Sequence, residues 1–379
     1  MQLTEEQSMI RDSVRDFVQN RIAPYAADWD KNDHFPAEQL QEMGELGLFG
    51  MIIPEQWGGS GSDYVSFALA LEEVAAGDGA CSTILSVNNS VVCGTLLKSA
   101  SDQLKELYLK PLASGEKLGC FCLTEPQAGS DASSLKTTAV KKGNEYILNG
   151  TKTFITSGKN AQVAIVFAVT DKAAGKRGIS AFAVPTDNPG YQVGTIESKM
   201  GQHASDTAQI FLKDCCIPED HLIGAEGEGY KIALMNLESG RIGIAAQCVG
   251  MARAAYEVAL EYAKERETFG KAIIQHQGVG FRLADMATQL EAAHLMVMNA
   301  ARLRDANEPC LKQASMAKLF ASEAAEKICS AAIQTLGGYG YLKDYPLERI
   351  FRDVRISQIY EGTSDIQRIV IAREIAGNR

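Results

Sequence analysis

The chain has 379 residues, 46% of them hydrophobic and 22% charged, with a formal net charge of -10. That length allows two or three packed units at roughly 150 residues each. The composition is that of a globular protein, and the acidic balance argues against a general nucleic-acid binder, which carries a basic face. An anionic ligand stays possible, because a local arginine or a helix N-terminus holds phosphate whatever the total charge.

The opening stretch, MQLTEEQSMIRDSVRDF, has no basic segment followed by an apolar one, so no export signal and a cytoplasmic location are expected. No apolar run is expected to reach the length of a membrane span. The nine cysteines are odd in number and none stands in C-x-x-C spacing. They read as buried reduced thiols. The five histidines (His34, His203, His221, His276 and His294) lie far apart with no H-E-x-x-H, so no metal site is expected.

Residues 1–119 read as helical. Thr4 and Gln7 have capping-box spacing, and Ile10, Val14, Phe17, Val18 and Ile22 then recur at helical intervals. The stretches DYVSFALALEEVAAGDG and DQLKELYLKPLASG repeat the pattern around a glycine-rich turn, PEQWGGSGSD, at 54–63. After Gly119 the pattern changes. Asn149-Gly150 sits between β-prone runs in YILNGTKTFIT, which predicts a hairpin there, and three further β-prone runs follow. Residues 120–225 therefore read as a small β-barrel or sandwich. From 226 to 379 the chain is helical again, with long alanine-rich helices over 228–265, 275–305 and 312–336, lengths that suit a four-helix bundle. The fold class is α+β. The order lacks alternating βαβ units, which excludes a Rossmann architecture, and neither G-x-G-x-x-G nor G-x-x-x-x-G-K-[ST] occurs.

Five segments carry possible chemistry: CFCLTEPQAGSDASSL (120–135), FITSG (154–158), KERETFG (264–270), QTLGGYGY (334–341) and QIYEGTSDIQ (358–367). Each has an ordinary reading by itself. The first is a Pro-Gly loop with Asp131 as a helix N-cap, and the second is a buried strand end. Arg266 favours a helix C-terminus, Gly337 and Gly338 form a C-cap, and Glu361 is a solvated acid before a capped helix.

Taken in order at these spacings, the chain resembles the acyl-CoA dehydrogenases from its first helix to its last. The resemblance implies FAD as cofactor. Phe121, Leu123, Thr124, Gly129 and Ser130 would lie along it, with Phe154, Ile155 and Thr156 against the flavin. Many members have Trp where this chain has Phe154. Arg266, Phe269, Gln277, Gln334, Thr335, Leu336, Gly337 and Gly338 would hold the phosphates and adenosine of FAD from a neighbouring subunit, which implies a homotetramer. Thr363, Ser364 and Asp365 would follow the base beside the cofactor. Ser130, Glu238, Arg241, Tyr360 and Gly362 would face an acyl-CoA substrate.

In the resembling enzymes a carboxylate takes the α-proton of an acyl-CoA thioester while the β-hydrogen leaves as hydride to flavin N5. The enolate oxygen is met by the base's own backbone N–H and a ribityl hydroxyl. Glu361 answers to that carboxylate, with desolvation expected to raise its pKa toward the working pH. Some relatives carry the base immediately before the family arginine. Here that position is Gly240, and Glu238, two residues earlier, points elsewhere on a helix. No Arg or Lys falls within 77–97, where relatives acting on dicarboxyl thioesters keep an Arg, so a neutral short- to medium-chain acyl group is expected. Electrons would pass to an electron-transfer flavoprotein in fatty acid β-oxidation. The same scaffold could instead serve an acyl-CoA oxidase or an enoyl-CoA reductase. A catalytically lapsed flavoprotein that binds a partner would call for a basic patch and a missing base.

Overall fold

The computed structural model describes residues 2–377. Helix α1 (Glu5–Arg21) starts at the expected capping box, where Thr4 Oγ1 accepts from Gln7 N–H and Gln7 Oε1 accepts from Thr4 N–H, both at 3.1 Å. α2 (Ala26–Asn32) and α3 (Ala37–Glu45) follow. α4 (Tyr64–Gly77) is capped by Asp63, whose Oδ1 accepts from Ser66 N–H, and is buried along almost its whole length.

The next segment is one continuous helical run from Gly79 to Ser99. It comprises α5 (Gly79–Ser86), a π-helical turn at Val87–Cys93 and α6 (Gly94–Ser99). Contrary to expectation, this run is long and apolar enough to cross a membrane, but 94% of its apolar 18-residue window is buried inside the protein. It is a core helix, and its inward polar groups explain the unusual turn. Asn88 Nδ2 donates to the carbonyls of Phe49 (3.2 Å) and Leu112 (3.0 Å), and its Oδ1 accepts from Gly119 N–H (3.0 Å). Asn89 Nδ2 donates to Leu48 O and Leu85 O. A π turn is often found at functional sites, and this one ties three elements to the entry of the sheet. The short helices α7 (Asp102–Leu104) and α8 (Lys110–Ala113) close this part.

The middle of the chain is a single mixed sheet of eight strands: β1 (Gly119–Cys122), β2 (Thr138–Lys142), β3 (Glu145–Thr156), β4 (Val163–Val169), β5 (Ile179–Pro185), β6 (Tyr191–Ile196), β7 (Thr207–Pro218) and β8 (Leu222–Ile223). The path runs β6-β7-β3-β2-β4-β5-β8, with β1 parallel to β4. β4 is buried on both faces. Val163, Ile165 and Phe167 pack with the helices before the sheet, whereas Ala164, Val166 and Ala168 join Tyr146, Leu148, Phe182, Ile210 and Leu212 in a core the curled sheet encloses itself.

The predicted hairpin at Asn149-Gly150 is not there. β3 runs straight through these residues, and the turn lies earlier, at Gly143-Asn144, where Lys142 pairs with Glu145. Asn149 instead exchanges hydrogen bonds with Asp214 across to β7 at 2.8 and 3.1 Å. Gly150 falls at a register shift where a Cβ would come 2.3 Å from Thr137 Oγ1. Both signals of the Asn-Gly pair therefore belong to a bulge, a close approach of strands.

The last part holds α9 (Gly229–Glu265), α10 (Gln277–Asp305), α11 (Leu311–Leu336), α12 (Leu347–Arg355) and α13 (Ser364–Ile375). The first three match the expected spans within two residues. They do not form a core of their own. One apolar cluster joins Val14, Phe67, Leu71 and Ile84 from the N-terminal helices to Ile244, Val297, Ile328 and Val354 from the C-terminal ones.

Replacing Asn88 by Leu removes these three hydrogen bonds and leaves the Phe49 carbonyl and the Gly119 N–H without them in the core, while Leu112 O keeps the Gly115 N–H at 3.4 Å. A loss of about 3 kcal/mol in stability is expected, read from the denaturant midpoint. A loss below about 1 kcal/mol would mean that water reaches these groups.

Candidate active site

Between α12 and α13 the chain reverses at two successive left-handed residues, Glu361 (φ 51°) and Gly362 (φ 92°), before Thr363 caps α13 by accepting from Ile366 N–H. A left-handed glutamate is uncommon and needs support from its surroundings. The support is visible. The Lys318 ammonium, buried on α11, donates to Tyr360 O (3.1 Å) and Gly362 O (2.7 Å), so it grips the carbonyls on both sides of Glu361. Gln367 Nε2 donates to Gly362 O (2.9 Å) and Glu361 O (3.3 Å). The Tyr360 hydroxyl donates to Gln247 Oε1 (2.7 Å), while Gln247 Nε2 donates to Thr83 Oγ1 (2.6 Å) and Thr83 Oγ1 to Gln202 Oε1 (2.7 Å).

The Glu361 carboxylate is enclosed, and neither of its oxygens has a hydrogen-bond partner. Burial pushes its pKa up to about 7, although Lys318 and Arg241 pull in the other direction. Gly240 of α9 makes room for it, since a Cβ there would lie 2.1 Å from Glu361 Oε2, with Val91 of the π turn next nearest. Arg241 is not the surface residue that an alanine-rich helix suggests. It is buried, its Nε has no partner, and burial lowers its pKa. Glu238 is directed elsewhere, accepting from Cys310 Sγ (3.3 Å) and lying 3.7 Å from Arg304. The structure therefore separates it from Glu361.

A second group forms around the 124–131 loop. Thr153 N–H donates to Thr124 O (3.0 Å), which lays this loop along the end of β3. Beneath it, the fully buried Lys152 donates to Glu125 Oε1 (2.8 Å) and Leu123 O (3.1 Å). Glu125 also accepts from the N–H groups of Lys136 and Thr137. Burial pushes this carboxyl up, but Lys152 and the amides outweigh it and bring it down to about 2. Above the pair, Gly129 and Ser130 are exposed, and nothing lies within 4 Å of a Cβ placed on Gly129. Asp131 caps no helix; it accepts from Ser133 and Ser134 and closes a turn. Phe154 is 65% exposed at φ 57°, while Ile155 beside it is buried in the sheet core and offers the surface only its backbone. Leu123 is buried too, and Phe121 packs on Phe167 at 4.9 Å between ring centroids. An aromatic ring held in the open at a strained position, beside the half-buried hydroxyls of Thr124 and Thr156, fits a flat heteroaromatic ligand with carbonyl acceptors, as FAD has.

The 202–206 segment ties these groups together. Gln202 reaches Tyr360 and Asp353, and Asp206 accepts from Ser157, Lys159 and Asn160 just past β3.

A third group stands apart. Tyr262, Arg266, Thr268, Gln334, Thr335, Leu336, Gly337 and Gly338 line a surface cleft of about 590 Å³ that none of the residues above reaches. Thr335 and Leu336 are buried, Gly337 has φ 61°, and Phe269 beyond Thr268 is 97% exposed. Gln277 is exposed at the start of α10. Ser364 is tucked in with its hydroxyl unpartnered, and Asp365 is exposed.

Lys318, Lys152 and Gln367 escape the motif reading. A signal for Lys318 exists all the same: it shares the face of α11 that buries Ala314, Ala321 and Ala325, at helical spacing.

Residues 4–116, 120–215 and 227–376 match the family models for the acyl-CoA dehydrogenase N-terminal, middle and C-terminal domains. The mitochondrial short-chain specific acyl-CoA dehydrogenase of Rattus norvegicus is 47% identical over 372 residues, 98% of this chain and 90% of its own. The butyryl-CoA dehydrogenase of Megasphaera elsdenii superposes with a TM-score of 0.98 at 40% identity, over 99% of each chain. A chain in the structure described as the electron transferring flavoprotein of Acidaminococcus fermentans gives 0.98 at 46% identity, also over 99% of each.

Lys152→Met leaves the Glu125 carboxylate buried without its cation. It is expected to cost about 3–5 kcal/mol, and replacing Glu125 by Leu as well should recover much of that loss. Denaturant unfolding of the single and double variants checks both statements.

Proposed function

The chain belongs to the acyl-CoA dehydrogenases, a family of oxidoreductases that bind FAD, and we propose that it oxidises the Cα–Cβ bond of a short- to medium-chain acyl-CoA with Glu361 as the base. The observation that carries this reading is the enclosed, unpartnered carboxylate of Glu361 at a left-handed residue. A thioester α-C–H is a weak acid. A carboxylate near pKa 7 is a better match for it than a solvated one, and it gains a neutral, more comfortable state on taking the proton. Bound FAD supplies the acceptor for the β-hydrogen, which leaves with its electron pair as hydride.

The chain's own residues do the rest. Glu361 receives the α-proton, and its backbone N–H, which has no partner among the described residues, is free to donate to the developing enolate oxygen. Tyr360, Val91 and the surrounding core keep water from the carboxylate. Thr124, Ser130 and Thr156 offer hydroxyls to the cofactor, and Phe154 offers a ring to one face. The cleft at Arg266 and Gln334–Gly338 suits phosphate and adenosine. Since no residue around Glu361 or Phe154 lines that cleft, the reading gives it to the FAD of a neighbouring subunit, in a homotetramer. Support for the substrate class comes from the short-chain and butyryl-CoA relatives and from the absence of Arg or Lys over 77–97. The A. fermentans likeness supports an electron-transfer flavoprotein as electron acceptor.

Glu361→Gln is expected to keep its flavin and lose thioester oxidation at least 1000-fold, an order set by removing the only base. Anaerobic titration with butyryl-CoA, followed by flavin bleaching, reads this directly, and near-normal bleaching rates would refute the assignment. Wild-type kcat/KM should rise with pH through about 7 as the carboxyl ionises.

The same pKa makes a stability claim. The folded state holds this proton more tightly than the unfolded chain, whose glutamate titrates near 4.5. The contribution is thus present below about 4.5 and lost as pH rises through about 7, worth about 3 kcal/mol in all. Glu361→Gln should therefore gain stability over wild type between pH 5 and 8. Gly240→Ala should displace the carboxylate and lower turnover at least tenfold (about 1.4 kcal/mol of barrier) with flavin retained.

A further inference from the structure

We propose that Lys318 is a positioning residue for the reaction, aiming both the carboxylate and the backbone N–H of Glu361 by holding the carbonyls of Tyr360 and Gly362. The proposal rests on Glu361 being the base.

A peptide unit is planar and trans, so its C=O and N–H point in opposite directions. The Tyr360 carbonyl points at the Lys318 ammonium, 3.1 Å away. The N–H of the same unit, which belongs to Glu361, must point away from Lys318, and it meets no acceptor among the described residues. On the other side of the residue, the Gly362 carbonyl turns back to the same ammonium at 2.7 Å. Two carbonyls converging on one cation restrict the φ and ψ of the two residues between them, Glu361 and Gly362. Both are left-handed, and for Glu361, which has a side chain, that conformation is strained unless the surroundings hold it. Gln367 donates to the same stretch from α13, but it reaches the Glu361 and Gly362 carbonyls and leaves the Tyr360 carbonyl to Lys318 alone.

The position of the lysine is costly in itself. Lys318 has no exposed surface, and burial lowers its pKa to about 8, with Cys248 and Glu361 opposing that shift and Arg241 adding to it. A buried ammonium that donates to two carbonyls and pairs with no carboxylate at hydrogen-bond distance has little value as a stability element. As an aiming device it has a clear use. One cation directs the donor for the enolate oxygen, holds the base in its strained turn, and lowers the carboxyl toward ionisation.

The test is steady-state kinetics of the flavin-loaded protein against pH, with butyryl-CoA as the probe. Lys318→Met is expected to lower kcat at least 100-fold while KM changes less than threefold, and to move the acidic limb of the kcat/KM profile upward by about one pH unit or more, because a cation beside the carboxyl is gone. The groups facing this site from the packed elements are Arg241 and Cys248 of α9 and Tyr360 of the turn, all unchanged in the variant. Lys318→Arg keeps the charge without the compact grip, so its acidic limb should stay in place while kcat falls at least tenfold. A Lys318→Met variant with kcat within twofold of wild type and an unmoved limb overturns the proposal. If Lys318→Met does not fold or hold flavin, Lys318→Gln is measured in the same way. If neither folds, the residue is a core element only and the proposal falls. Failure of the underlying reading looks different, since it would show as turnover retained in Glu361→Gln.

Discussion

A carboxylate without a hydrogen-bond donor, enclosed beside two buried cations, persists only where the surrounding fold leaves it no alternative. Glu361 is in that situation, and the molecule is arranged around it. Lys318 and Gln367 hold its backbone, Gly240 yields the space for its oxygens, and Arg241 faces it with an unpartnered Nε. Had any protein group donated a hydrogen bond to it, the carboxyl would titrate lower and be a weaker base. The lack of a partner is thus the property that the proposed role as base calls for, maintained against the general tendency of buried polar groups to be satisfied.

Rigid support for this arrangement comes from elements that never touch the carboxylate. The chain of hydrogen bonds from Tyr360 through Gln247 and Thr83 to Gln202 links the turn to α9, α5 and the segment before β7. The Lys152–Glu125 pair does the same for the loop along β3. Each is a buried polar network with its members satisfied, which specifies one arrangement where an apolar core would tolerate several. The first network ends at Gln202, and four residues on Asp206 accepts from the segment just past β3, so the Glu361 turn and the strand end that carries Phe154 are both tied to 202–206.

Much of this was legible before any coordinates. Helix ends follow local rules, and the capping box at Thr4 and the bounds of the three long helices came out as the pattern implied. Glu361 read locally as a solvated acid, and only the five segments taken in order singled it out. What failed were features whose meaning depends on distant neighbours. Asn149-Gly150 has the chemistry of a turn, yet Asp214 and Thr137, from other strands, make it a bulge. No run of span length was expected, yet 79–99 is one; its Asn88 and Asn89 find their partners in other elements of the core. Gly240 read as a position without a base, and in space it is the room the Glu361 carboxylate occupies. Lys318 and Lys152 carry no motif, and lysines on helices and strands are rarely buried, so nothing local marks them.

The apolar cluster shared by the first and last helices bears on how the chain comes to its native state. α4 has almost no face of its own that water can wet; α1 covers one side of it, but the rest of its cover is α9 and α10, whose residues follow only after the whole sheet. At about 5–20 residues per second, synthesis from Gly77 to Glu265 takes roughly ten to forty seconds. Throughout that interval a strongly apolar segment waits without that part of its cover, and closing the contact later means joining regions well over a hundred residues apart in sequence, a slow kind of event. The first and last helices therefore complete one another, and a cut within the sheet would part the two halves of a single apolar core.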